Sequence, residues 1–80
     1  MKKIEIDFKN YPTKQKLFTF LMSQIEGLFG ANYDALIDAL SFYQTPLVLQ
    51  LIHLSFYEEQ AQLLEVLQII QKENHLIQIN

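Results

Sequence analysis

The 80-residue chain has no cysteine, which removes disulfides, thiol catalysis and zinc–thiolate centres from consideration. Arginine is missing too, since all six basic residues are lysines: Lys2, Lys3, Lys9, Lys14, Lys16 and Lys72. Between Leu17 and Gln71 there is no basic residue at all, and that stretch holds Glu26, Asp34, Asp38, Glu58, Glu59 and Glu65. A formal net charge of −3 therefore understates the polarity of the chain, which is acidic in the middle and basic at its ends. Such a surface repels nucleic acid and anionic membrane and attracts a basic partner. Long apolar runs are missing as well. None approaches the roughly 18 residues of a membrane-spanning helix. The N-terminal "MKKIEIDFKN" alternates instead of forming the continuous apolar core of a secretory signal, so the expected location is cytoplasmic.

Catalytic patterns are equally scarce. There is no Walker loop and no GxGxxG, and Ser23, Ser41 and Ser55 lie in no GxSxG or SxxK context. His53 and His75 are the only histidines, and no HxxxH or HxxE spacing sets a second ligand beside either. The sequence thus predicts no enzyme activity, no metal site and no cofactor.

What remains is enough for one folded domain spanning residues 1–80. Half the residues are apolar and 12% are aromatic, enough for a packed core. A chain of this size buries only about two thirds of its unfolded surface, so its stability should be modest. "KKIEIDF" alternates, with Ile4, Ile6 and Phe8 on one side and Glu5 and Asp7 on the other, the pattern of a half-buried strand. After the breaker "NYPT", Thr13 is placed to cap a helix over residues 14–26, whose Leu17, Phe18, Leu21 and Ile25 share a face. Gly27 and Gly30 bracket a short loop. Asn32 is a good cap for a second helix, with Leu36, Ala39 and Leu40 facing inward. Pro46 leads a strand with Leu47, Leu49 and Leu51 on one side. Residues 56–73 read as a long amphipathic helix built on Leu63, Leu64, Leu67 and Ile70, and "HLIQIN" as a closing strand.

Strands joined by helical crossovers imply a parallel sheet, with right-handed connections. Glu5, Asp7, Gln78 and Asn80 keep the outer face polar, whereas a sheet covered on both sides would be apolar throughout. The expected architecture is two-layer α/β: a three-stranded parallel sheet, order 1-2-3, with helices on one face.

The stretch "FGANYDALIDAL", residues 29–40, stands apart from this packing logic. Asp34 and Asp38 lie four apart with no cation near them in sequence, a spacing at which like charges repel by roughly 0.2–0.5 kcal/mol. Asp34 lies near the helix start, where the macrodipole favours a negative charge by about 0.3–1 kcal/mol; Asp38, one turn later, gains nothing of the kind. As solvated carboxylates they make a poor acid/base pair. Opposite the core, and flanked by Ile37, Phe42 and the incoming Phe29 and Gly30, they suit a protein–protein contact.

"FGANYDALIDAL" together with "YQTPLVLQL" resembles the barstar family of ribonuclease inhibitors. The pattern comprises Phe29-Gly30, Asn32, Asp34-Ala35-Leu36, Asp38, Leu40, Tyr43 and the strand from Pro46 to Leu49, with a fainter match at "VLQII" (66–70). Element order agrees over nearly the whole chain. The resemblance implies an intracellular antitoxin or immunity-type protein, monomeric when free. Its second helix and the preceding loop would plug the basic active-site cleft of a barnase-like ribonuclease, the carboxylate at Asp38 standing where a substrate phosphate would be and Asp34 adding to it. The partner-binding residues so implied are Phe29, Gly30, Asn32, Asp34, Ile37, Asp38 and Tyr43. The chain departs from the family pattern at Leu28, where the first of two loop aromatics is usual, at Ile37 and Tyr43, each in place of a tryptophan, and at Lys72 in place of a glutamate. These departures point to a cognate nuclease or toxin other than barnase. The alternative is an acidic interaction module on the same scaffold with a non-nuclease partner.

Overall fold

The computed structural model describes residues 1–80. Strand β1 (Lys2–Asp7) leads to helix α1 (Lys14–Gln24) and helix α2 (Tyr33–Ser41). Strand β2 (Leu47–Ile52), a single 3-10 turn (Leu54–Phe56), helix α3 (Gln60–Glu73) and strand β3 (Ile77–Ile79) complete it. The sheet is three-stranded and wholly parallel, in the order β1-β2-β3, as the alternation of helices and strands predicts.

Register shows why the helices lie on one side. Ile4 pairs with Leu49 and Leu49 with Ile79; Ile6 pairs with Leu51; Leu47 pairs with Ile77. Residues paired across a parallel ladder share a face, so these apolar side chains form one surface and enter the core with the helices. Lys3, Val48 and Gln78 are in register on the other face, as are Glu5 and Gln50. That face is polar except at Val48, a central-strand position flanked by Lys3 and Gln78, and at the half-buried Ile52, which pairs with Asp7 at the end of β2. The core draws on every layer: Phe8, Leu17, Phe18, Ile25, Leu36, Leu40, Leu47 and Ile70 are essentially inaccessible.

Local chemistry sets most boundaries. Thr13 caps α1, its hydroxyl accepting from the Lys16 N–H at 3.2 Å. The Glu58 carboxylate accepts from the Lys14 N–H at 2.8 Å, satisfying another orphan donor of the first turn. Helix α1 ends at Gln24, two residues short of the expected end, because Ile25 turns to extended backbone. The Lys2 ammonium donates to the Gln24 carbonyl there. Helix α3 begins at Gln60, not at residue 56. His53 adopts a left-handed conformation (φ 56°, ψ 43°) that closes β2 into the 3-10 turn, and the extended Tyr57 that follows is buried. Glu58 is held instead at α1, its N–H donating to the Pro12 carbonyl at 2.9 Å. On α3 the buried face is Leu63, Val66, Leu67 and Ile70; Leu64, expected inside, is 37% exposed, since Val66 completes the i, i+3, i+4, i+7 stripe instead.

Asp7 organises the end of β1. Its carboxylate accepts from the Lys9 N–H at 3.0 Å and meets the His53 Nδ1 at 2.9 Å, linking the ends of β1 and β2. The hydrogen bond from His53, then that from Lys9, hold the Asp7 carboxyl below its ordinary value of 3.8. A carboxyl depressed in the folded state contributes stability that is complete above its unfolded value and is lost as pH falls through the folded one. Asp7→Asn should therefore be less stable than the parent at pH 6, with the difference shrinking below pH ~3.8. Urea unfolding midpoints measured across that range check this; a difference independent of pH would remove the ionised carboxylate from the account.

Candidate protein-binding site

Helix α2 is nine residues long, about 13 Å at 1.5 Å per residue, and its inner stripe of Leu36 and Leu40 is fully buried. The Asn32 side-chain oxygen accepts from the Ala35 N–H at 2.7 Å, closing the first turn. Asn32 is thus the predicted cap, with its acceptor already engaged within the chain. Gly30 is held at φ 121°, where a Cβ would lie 3.3 Å from the Asn32 Nδ2 and 3.9 Å from the Ala35 Cβ. Glycine is required there by backbone conformation and by the closeness of the helix start.

Both ends of α2 are tied to α3. At the N-terminus, the Tyr33 hydroxyl donates to the Glu59 carboxylate at 2.6 Å and lies 2.8 Å from the Tyr57 hydroxyl. The Tyr33 ring packs edge-on against Phe18 at 5.6 Å, and the Lys14 ammonium sits 4.8 Å from its centre. Burial, then the bonds to Glu59 and Tyr57, push the Tyr33 phenol far above its ordinary value, so it stays a neutral donor. Burial likewise raises Tyr57. At the C-terminus, buried Asn74 donates its side-chain N–H groups to the Leu40 carbonyl at 3.0 Å and the Tyr43 carbonyl at 2.7 Å. Its oxygen accepts from the Leu76 N–H at 3.0 Å. One amide thereby joins the end of α2 to the α3–β3 turn.

Asp34 and Asp38 are both exposed. The one ion pair within the chain is His53–Asp7, so neither aspartate has a cationic partner. Glu58 and Glu59 are hydrogen-bonded within the chain, so the acidic stretch is not uniformly free: Glu26, Asp34 and Asp38 are the exposed carboxylates around α2. Of the other expected site residues, Phe29 is 86% exposed, Gly30 lies beside it at intermediate exposure, and Ile37 and Tyr43 are half-buried and pack against the core. Leu28 is only 3% exposed, so the loop points one residue inward and the next outward, and Leu28 offers no outward contact.

The sequence placed Phe42 only as an apolar flank of the two aspartates, and the cleft beside it was not expected. Phe42, at the C-terminal cap of α2, is 78% exposed. It borders an open cleft of about 490 Å³ lined also by Glu26, Gly27, Asp38, Tyr43, Gln44 and Thr45. Asp38 lines this cleft and Asp34 does not, so the two aspartates face different surroundings. The sequence signal for the α3 ties was weak: a lone Asn74 after a helix and a tyrosine next to a cap carry no motif.

The fold, a parallel three-stranded sheet under helices on one face, agrees with the family comparison. The model of the family described as Barstar (barnase inhibitor) matches residues 1–77. The chain belongs to the barstar family, whose members are inhibitors of a protein partner and not enzymes. No curated protein matches the chain. No helix is long and apolar enough to cross a membrane.

The Asn74 tie yields a direct test. Asn74→Ala leaves the Tyr43 carbonyl and the Leu76 N–H without their partners, a loss on the order of 1–3 kcal/mol. Asn74→Asp keeps the shape but sets a carboxylate against two carbonyl oxygens, so its urea midpoint at pH 7 should fall further than that of the alanine variant.

Proposed function

We propose that this protein is an antitoxin-type inhibitor acting in the cytoplasm, monomeric when free, that inserts α2 and the loop before it into the basic active-site cleft of a barnase-like ribonuclease. The observation that carries the reading is the pair of exposed, cation-free carboxylates at Asp34 and Asp38. They sit on a helix held rigid at both ends and bracketed by exposed Phe29. In this reading Phe29 seats against the rim of the cleft. Gly30 lets the backbone approach closely, and Ile37 and Tyr43 supply apolar flanks. Asn32 keeps the helix start in shape. Asp38 occupies the position of a substrate phosphate. The partner's cations neutralise both charges, which offsets the i, i+4 repulsion.

Anchoring α2 before binding lowers the ordering cost of association, so more of the contact energy is expressed as affinity. The buried Leu28 favours a partner surface different from the one that the family's aromatic loop meets. That observation also keeps a second reading: a basic, non-nuclease protein recognised by the same face.

Asp38→Ala should weaken inhibition of the cognate ribonuclease by about 2–5 kcal/mol, because partner cations are left unpaired in a desolvated cleft. That range rests in part on the barnase–barstar pair, the family's own example. Asp34→Ala should weaken it less, since Asp34 lies in the first turn of α2 and also serves the helix dipole. Neither variant should unfold the protein: Asp34→Ala gives up its helix-dipole contribution, while Asp38→Ala should stay level in melting temperature or rise slightly. RNA-cleavage assays against a panel of barnase-like ribonucleases, paired with thermal melts, measure both; tight inhibition by Asp38→Ala would refute the plug.

Association should also be steered by charge. With a Debye length of ~10 Å at 0.1 M salt, the stopped-flow on-rate should fall by at least about tenfold from low salt to half-molar. A flat profile would remove electrostatics from the mechanism.

A further inference from the structure

A second open cleft, of about 890 Å³, lies between α1 and the loop that leaves the carboxyl end of β1. No residue of α2 lines it, and a plug built on α2 gives it no task. Tyr11, from the loop, stacks on Phe20, from α1, with ring centres 4.4 Å apart and 16° between the ring planes. Both rings are half-buried and both line the cleft. Lys16 is exposed and is the one charged residue in the lining. The one ion pair within the chain is His53–Asp7, so Lys16 has no carboxylate partner. Asn10 and Gln15 add two exposed side-chain amides. The Thr19 hydroxyl donates to the Gln15 carbonyl at 2.9 Å, which leaves its oxygen free to accept.

These groups set complementary demands on one ligand. A lone cation with no acid beside it attracts an anion. A stacked aromatic pair offers a face to another flat ring. Side-chain amides bond the donors and acceptors on the edge of such a ring, and a hydroxyl oxygen whose proton is already donated accepts from a sugar hydroxyl. We propose that this cleft binds a nucleoside monophosphate. The phosphate meets the Lys16 ammonium and the base lies against the Tyr11–Phe20 pair. Asn10 and Gln15 bond the base edge, and Thr19 accepts from the ribose. The cleft is of the size that holds small ligands, roughly 300–1,000 Å³. An inorganic phosphate would leave the aromatic pair without a role, and an uncharged aromatic would leave Lys16 without one. Residues 10–23 include Lys14 and Lys16 and no acidic residue, so the cleft is built outside the acidic part of the chain that repels phosphates. The inference does not rest on the reading of α2.

The test uses the intact protein, with uridine and adenosine monophosphates as probes, followed by amide shifts in two-dimensional NMR. Saturable shifts confined to the cleft residues are expected, with affinity falling as salt rises. Adenosine, which lacks the phosphate, and ribose phosphate, which lacks the base, should each bind at least about tenfold more weakly than the nucleotides. Lys16→Gln, a change at an exposed position, should weaken nucleotide binding by at least about tenfold. Lys72→Gln removes the same charge from the last turn of α3 and should match the parent. Phe20→Leu should weaken the nucleotides and leave ribose phosphate unchanged. Phe20 packs against the core, so the amide spectrum of that variant checks its fold, and Lys16→Gln decides the matter where it fails to fold. Ribose phosphate binding as tightly as the nucleotides would reduce the cleft to a patch that attracts any anion and overturn the inference. Shifts scattered over the surface, absence of saturation, or unchanged binding by Lys16→Gln would overturn it as well. Asp38→Ala should bind the nucleotides as the parent does, so the cleft and the plug stand or fall separately.

Discussion

The buried side-chain amide of Asn74 is the interaction on which the acidic helix depends. Two carbonyls at the end of α2 and one N–H in the turn before β3 converge on it. A buried amide so completely bonded is hard to replace, because any substitute leaves desolvated partners behind. At the other end of α2, Tyr33 reaches Glu59 and Tyr57. Between the two, Leu36 and Leu40 are buried. The helix is thus fixed by a polar contact at each end and an apolar stripe between them, and none of these contacts uses its outer face.

That division explains how the chain carries unpaired charge. Carboxylates with structural duties lie elsewhere: Glu58 at the start of α1, Glu59 against Tyr33, and Asp7 against His53. Those left without such duties include the exposed Glu26, Asp34 and Asp38 around α2. Their mutual repulsion is a few tenths of a kcal/mol per close pair, small beside the burial of two leucines at roughly 1.5–3 kcal/mol each. The packing of α2 therefore tolerates its charge, and the charged face stays open to a partner.

Much of the fold was legible in the sequence because its signals are local and strong. The alternation in β1 and β2, the caps at Thr13 and Asn32, and the helical stripes of α1 and α2 each follow from one element's own residues. The parallel order followed from the helical crossovers between strands, and the single covered face from the polar Glu5, Asp7, Gln78 and Asn80. The start of α3 was misjudged because Phe56 and Tyr57 fit a helical period, yet the chain was already committed to a left-handed His53 and to pairing Glu58 with α1. Those contacts join residues 44 and 46 apart in sequence, beyond the reach of periodicity. On the candidate site, Asp34, Asp38 and Phe29 are exposed as their positions on the helix and loop suggested. The cleft at Glu26 and Phe42 was not foreseen, since its walls come from separate segments that only the folded chain brings together.

The pairing register has a kinetic side. Lys2 pairs with Leu47 and Leu47 with Ile77, so every rung of the sheet closes a long loop and no hairpin can start it. The entropy of that closure must be met before the ladder forms, which makes the helical connections the early structure and the sheet the late one. Helix α2 lies within the connection between β1 and β2. A molecule that binds α2 only in its folded form therefore holds that loop shut and stabilises the sheet by mass action, so a bound inhibitor should outlast a free one under proteolysis.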